Sequence, residues 1–364
     1  MLFATPPTAA SLAKRLDELD ELRRSLGQEV SRPSPWMGAL RRTVRASSIE
    51  GSTSIEGFSV SAKDAIALVN GEEPAGRADE NRMAVSSYAR AMDHVGVMAQ
   101  DPGFSWEERV ILDLHFDACH FQRDKRPGRW RDEPIAVTAG DGTLAYRAPD
   151  AEQVPALMAE VVRWLREDDA DQNVVVRAAM AHLHVVSAHP FRDGNGRVAR
   201  IVQSLVLARE GLISSEFSSI EEHLGQNTSA YYAALKQAQG GSYQPDRDAS
   251  GWVTFCVEAH LAQARQRLAQ IKAAAMRWDH LESLVIERGW PERLMIALEQ
   301  SLIGGAERGS YGKEADISRA TASADFRRLL DAGLVDQRGR GKNTSYRASR
   351  ELQARVAQAL EGDA

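Results

Sequence analysis

The chain has 364 residues, 43% hydrophobic and 26% charged, with 45 Lys and Arg against 51 Asp and Glu for a net charge of −6. That length exceeds one ordinary core and predicts two or three domains. The acidic balance excludes a protein that binds polyanions over its whole surface, though not one with a local basic patch. Two cysteines, Cys119 and Cys256, are too far apart for a metal or redox motif and fit a reducing, cytoplasmic setting. The N-terminus lacks a basic start with an apolar run, so no signal peptide is expected. No stretch approaches the roughly 18 apolar residues of a membrane span, so no membrane partner is expected.

Helical periodicity dominates, and the fold class read from it is mainly α. Leu12, Leu16, Leu19 and Leu22 recur at helical spacing and predict a packing helix. In "STSIEGFSV", Ser52 and Glu56 are four apart and share a helical face, and Gly57 ends the turn. A glutamate in a last turn opposes the helix dipole by a few tenths to about 1 kcal/mol and gains most from a cation on another element. Periodicity alone favours a solvated acid there. Ser61 with Asp64 starts a further helix that Asn70-Gly71 closes. Helical patterns continue at 79–99, 105–122, 151–167 and 174–187. Between Trp130 and Pro149, "PIAVT" and "TLAYR" flank "AGDG" and predict a hairpin at about 133–147.

The stretch "HPFRDGNGRVAR", from His189 to Arg200, carries the chemistry. Gly194, Asn195 and Gly196 sit where a loop enters a helix, and free N–H groups at a helix start attract anions. Glycines let such a turn approach a phosphate closely. Arg197 and Arg200 lie three apart and can each fork onto phosphate oxygens. Asp193 suits Mg²⁺, which takes one or two carboxylates together with phosphates. His189 is the residue type most easily poised as a general base. The Lys-Ser/Thr of a Walker loop is absent.

This stretch matches every fixed position of HPFx(D/E)GNGRxxR and resembles the signature of the Fic (filamentation-induced-by-cAMP) family. "AHLHVVSAHPF", "PGRWR", "QNTSAYYAAL" and "GWVTFC" resemble its surroundings, over roughly residues 40 to 265. The resemblance implies a Fic-type helical core with a hairpin flap and a protein adenylyltransferase moving AMP from ATP to a Tyr, Thr or Ser hydroxyl. It implies His189 as base, Asp193 holding Mg²⁺, Gly194, Asn195, Gly196 and Arg197 around the phosphates, Arg200 on the γ-phosphate, and Phe191 buried to fix the loop. Tyr231 and Tyr232 either flank the adenine or pack in the helix. The flap would dock the target's backbone by strand addition. "STSIEG" also matches the family's (S/T)xxxE(G/N) inhibitory helix, which implies that Ser52 and Glu56 belong to a brake near 47–57, with Glu56 pairing with Arg200. The near repeat "SSIEG" at 47–51 contains Glu50, but Ala46 stands where the pattern needs Ser or Thr.

A division near 288 opens a different segment, giving an N-terminal helical region (1–100), a catalytic core (101–288) and a C-terminal domain (289–364). "ISRATASADFRRL", "GLVDQRG" and "TSYRA" resemble a winged helix-turn-helix. Between 313 and 350, nine Lys or Arg stand against five acids, a local charge of +4. That patch suits DNA, and a protein-binding or dimerisation module is the competing reading. Two other functions compete with AMP transfer: a DNA-binding regulator using the nucleotide site as a sensor, and a hydrolase that removes AMP. The target and the donor stay open, as does a homodimer.

Overall fold

The computed structural model describes residues 1–74, 79–138, 142–167, 172–339, 341 and 344–362. Its packing divides the chain into two units, Met1–Arg32 with Arg41–Arg267, and Pro33–Leu40 with Leu268–Ala364. In chain order the helices are α1 (Ala10–Ser31), α2 (Met37–Ile55), α3 (Ala62–Val69), α4 (Glu80–Gln100) and α5 (Glu108–Cys119). A hairpin follows, β1 (Ala136–Thr138) and β2 (Leu144–Arg147), then α6 (Val154–Arg166), α7 (Val174–Ala188) and α8 (Asn195–Arg209). Next come α9 (Ser215–Ser218), α10 (Glu221–Gln226), α11 (Thr228–Gln239) and α12 (Ser250–Glu287). The mainly α expectation holds, and the turn of the hairpin, 139–141, lies outside the described residues.

The first unit is centred on α7 and α8. From Val175 to Ala188 every residue except Arg177 is buried, and α8 is buried on nearly all sides from Asn195 to Ala208. Burial on nearly every side puts this pair at the centre of the core, and α4, α5 and α6 pack around it. In α1, Leu12, Leu16 and Leu19 are buried as expected, while Leu22 is only half-buried. Arg23 takes the buried position beside it and pairs with Glu210. Ser61 caps α3 by accepting from the Asp64 N–H at 3.1 Å, as its spacing predicts.

One crossing sets the place of α2. A Cβ on Gly51 would lie 2.6 Å from the Glu221 carbonyl oxygen, and one on Gly225 would lie 2.6 Å from the Gly51 carbonyl oxygen. Backbone therefore meets backbone, which only glycine allows. Arg267 locks the crossing further: its guanidinium donates to Glu222 at 2.6 Å and to Ser48 Oγ of α2 at 3.1 Å.

The second unit starts inside α12, ahead of the division at 288 that composition suggests, because Leu281, Leu284 and Val285 pack into its core. It continues with α13 (Leu294–Ile303), α14 (Arg308–Glu314), α15 (Arg319–Asp331), β3 (Val335–Arg338), β4 (Ser345–Ala348) and α16 (Arg350–Gly362). β3 and β4 are antiparallel, with Val335 opposite Ala348 and Arg338 opposite Ser345. Phe326 of α15 stacks on Tyr346 of β4 at 3.9 Å. Arg340 and Lys342 of the basic run lie outside the described residues. Among the described residues, no helix is long and apolar enough to cross a membrane.

Candidate active site

The loop between α7 and α8 holds the motif, and its shape follows from three residues. His189 closes α7 with φ 47°, in the left-handed region, which a non-glycine residue enters at a cost of about 1–2 kcal/mol. Gly194 starts α8 with φ 76°, and a Cβ there would collide with Cys119 Sγ. Asn195 stitches the turn: its Oδ1 accepts from the Phe191 N–H at 2.9 Å and its Nδ2 donates to the Phe191 carbonyl at 2.8 Å. The Asn195 side chain is thus spent on the loop, and only its backbone N–H remains for an anion. Phe191 is fully buried, as expected, and stacks on His115 at 3.6 Å.

One hydrogen bond sets the tautomer of His189. Its Nδ1 lies 3.3 Å from the Val186 carbonyl, so Nδ1–H donates and Nε2 is left with its lone pair. Burial pushes its pKa down to about 4, so the imidazole is neutral at physiological pH. Asp193 is about one-third exposed, with Oδ1 accepting from the Gly194 N–H at 2.7 Å and Oδ2 lying 3.3 Å from Arg197 Nη2.

Arg197 and Arg200 are both 1% exposed. Arg197 donates to Gln122 at 3.1 Å and lies over the Phe58 and Phe121 rings. Its Nε and Nη1, and Arg200 Nη1, are buried with no hydrogen-bond partner among the described residues. Buried guanidinium donors without acceptors cost free energy that an anion recovers. The residues therefore fit a polyphosphate.

Ser52 and Glu56 meet this site from α2. Arg200 Nε donates to Ser52 Oγ at 2.7 Å, and Nη2 donates to the Ser52 carbonyl at 3.1 Å and to Glu56 Oε1 at 3.0 Å. Burial works against the Arg200 charge, but Glu56, Tyr231 and Tyr88 outweigh it and its pKa is raised. The Glu56 carboxylate also sits at the start of α8, where a Cβ on Gly196 would lie 2.6 Å from Glu56 Oε1. A carboxylate thus occupies the anion position that sequence assigned to phosphate. Glu50 points elsewhere: burial, then Glu222, raises its pKa.

The two tyrosines separate. Tyr231 is 1% exposed, packed on Trp252 and within 3.0 Å of His182 Nε2. It belongs to the core and offers no open face for adenine stacking. Tyr232 is 49% exposed, with its hydroxyl 3.4 Å from the Ile55 carbonyl. Sequence reading missed His115, Cys119 and Arg131, which press on the motif from α5 and from the approach to the hairpin.

Burial lowers the pKa of His182, His184 and His260 to about 3 and of His115 to about 4, as it does for His189. These groups bind protons at higher pH when unfolded, near 6.5, than when folded. The unfolded state therefore holds more protons between pH 6.5 and about 3, and stability rises with pH there. Above pH 7 these histidines should leave thermal stability flat; below about 6.5 the melting temperature should fall steadily. A flat profile down to pH 4.5 would contradict their buried neutral state.

A model of the Fic/DOC family matches residues 105–207. A protein adenylyltransferase fic-1 of Caenorhabditis briggsae is 35% identical over 136 residues, covering 37% of this chain and 24% of that protein. A probable protein adenylyltransferase of Aquifex aeolicus is 33% identical over 97 residues, covering 27% and 28%. A protein adenylyltransferase Fic of Nematostella vectensis is 24% identical over 243 residues, covering 63% and 51%. This chain thus spans between about a quarter and a half of the length of these curated relatives. Among solved structures, a Fic family protein from Desulfovibrio desulfuricans G20 superposes with TM-score 0.59 at 20% identity, covering 96% of this chain and 98% of that one. Fic-1 from Caenorhabditis elegans gives TM-score 0.58 at 21% identity, covering 72% and 73%. Motif, matched segment and fold agree: residues 105–207 match the Fic/DOC family, and the fold around them is like that of solved Fic proteins.

Proposed function

We propose that this protein transfers AMP from ATP to a Tyr, Thr or Ser hydroxyl of a target protein, and that Glu56 restrains it. The supporting observation is the paired arrangement at Arg200: unpartnered buried guanidinium donors face a site whose anion position holds a carboxylate from α2. His189 Nε2 takes the hydroxyl proton, the freed oxygen bonds to the α-phosphorus, and the bond to the bridging oxygen breaks as pyrophosphate leaves. Such transfer relies on positioning and charge neutralisation more than on covalent help. Asp193, with one partly exposed carboxylate and no group of three or more metal-ligating side chains among the described residues, fits Mg²⁺ held together with phosphates. That ion would neutralise charge on the α- and β-phosphates, while Arg197 and Arg200 hold the rest of the chain.

The test is label transfer to protein from α-labelled and from γ-labelled ATP. Retained α-label with no γ-label supports AMP transfer. Label lost from a pre-modified target, with none gained, would favour AMP removal.

We further infer a duplex-DNA face on the second unit, of the winged helix-turn-helix kind. Arg319, Arg327 and Arg328 of α15 are exposed, and none pairs with a carboxylate among the described residues. The acid inside this helix, Asp325, is buried and bound by Arg293 and Tyr311. Ala320, Ser323 and Ala324 leave the outer face low enough to approach a groove. Full-length protein should bind duplex DNA with affinity that falls steeply with salt, and removing Arg319 and Arg327 should flatten that slope by about two. No binding at low salt, or an unchanged slope, sinks the reading and favours a protein-binding role.

A further inference from the structure

Arg131 lies outside the motif, yet it holds the carbonyls of its first two residues. It is 3% exposed. Its Nε donates to the His189 carbonyl at 2.7 Å, and its own backbone N–H donates to the Pro190 carbonyl at 2.9 Å. Nη1 donates to the Glu133 carbonyl at 2.9 Å and Nη2 to the Pro149 carbonyl at 2.5 Å. Glu133 and Pro149 are the two ends of the hairpin segment. One planar fork thus grips the base-bearing residue and both feet of the flap.

The acceptors are informative. Among the described residues no carboxylate hydrogen-bonds this guanidinium; its three side-chain bonds there go to backbone carbonyls. A buried arginine kept for charge pairing would face an acid. Three carbonyls in fixed directions instead match the planar, rigid donor geometry of arginine. The carbonyl it holds belongs to a residue in the left-handed region, with φ 47°. Such a conformation persists only where its surroundings over-determine it. The same segment braces the far end of the loop: the Gly128 N–H donates to His115 Nδ1 at 2.9 Å, so His115 Nε2 carries the proton and donates to the Asp193 carbonyl at 3.1 Å.

We propose that Arg131 is a positioning residue for the transfer reaction, holding His189 in its left-handed, site-facing conformation and fixing the flap to the same point. A target strand laid on the flap is thereby registered against the base. The inference rests on the AMP-transfer reading for its kinetic consequences, and on geometry alone for its structural ones.

The experiment compares Arg131→Lys and Arg131→Met with the parent in a Glu56→Gly background. Lysine keeps the charge and loses the fork. A misplacement of the base by about 1 Å costs on the order of 100-fold in rate. The expected result is a loss of that order in kcat for Arg131→Lys, a larger one for Arg131→Met, and an ATP affinity within about twofold of the parent. Transfer within threefold of the parent would overturn the proposal, and so would an equal loss in ATP affinity, since that marks general damage. Histidine ring NMR, with the His189 signal assigned by His189→Ala, reads the same question without activity. A shifted or broadened His189 signal in Arg131→Lys, with the other ring signals in place, supports the proposal; an unmoved signal overturns it. If the Glu56→Gly parent itself transfers nothing, the AMP-transfer reading has failed, and the ring signal alone decides the role of Arg131.

Discussion

Replacing Glu56 by glycine is expected to raise protein labelling from α-labelled ATP by roughly tenfold or more. The estimate comes from the hydrogen bond it removes. Charge-assisted bonds of this kind contribute about 1.5–3 kcal/mol, and Glu56 is 22% exposed while Arg200 is 1% exposed, so the lower part of that range applies. Tenfold corresponds to about 1.4 kcal/mol at 25 °C. The substitution should also widen the space over Gly196, which the Glu56 carboxylate now fills. Ser52 would keep its bond to Arg200 Nε and hold the guanidinium in place. The assay is label on protein followed by gel and mass spectrometry, with Glu50→Gly as comparator. Unchanged labelling in Glu56→Gly, or a rise in Glu50→Gly alone, would show that the Arg200 pair is not the brake.

The second large effect is at His189. His189→Ala, made in the Glu56→Gly background, should reduce transfer by about 10²–10⁴-fold, the usual contribution of a positioned general base. ATP binding should change little, because the groups proposed to face the phosphates are Arg197, Arg200 and the start of α8. His189 projects from the other end of the loop, with its ring near Tyr146 of the hairpin at 6.3 Å between centroids. Calorimetry for ATP and labelling for transfer separate the two properties. Near-parental transfer would remove His189 from the chemistry. A parallel collapse of ATP affinity would show that the alanine had unwound the loop.

Local chemistry makes the motif readable before any coordinates: His189, Asp193, Gly194, Gly196, Arg197 and Arg200 fall within twelve residues, so spacing groups them. Spacing also puts Ser52 and Glu56 on one helical face, but only the family resemblance links them to Arg200. Helix limits were also close, because caps such as Ser61 and stops such as Gly71 act over three or four residues. What stayed hidden acts at long range. Arg131 meets the His189 carbonyl across 58 residues, and His115 meets Asp193 across 78. Neither has a local pattern to mark it. Sequence leaves Tyr231 and Tyr232 open between flanking adenine and packing in the helix. Adjacent side chains on a helix point about 100° apart, so Tyr231 is buried against Trp252 and Tyr232 is half exposed. The division of the chain was misplaced toward 288 because α12 has no composition change where its packing partners change.

If Glu56 restrains the site as proposed, the glycine crossing of α2 and α10 bears on how that restraint scales. A carboxylate built into the same chain competes with the nucleotide as a tethered ligand, at an effective concentration fixed by its tether. Dilution of the protein leaves that concentration unchanged. It depends instead on how closely α2 is held, and that distance is set where Gly51 and Gly225 meet backbone to backbone, with Arg267 fastening Ser48 to Glu222. On the proposed reading, the strength of inhibition is set by a helix crossing more than a turn away from the Glu56–Arg200 ion pair. Small changes in that crossing would retune the nucleotide concentration at which the enzyme escapes, with every residue of the active site left intact.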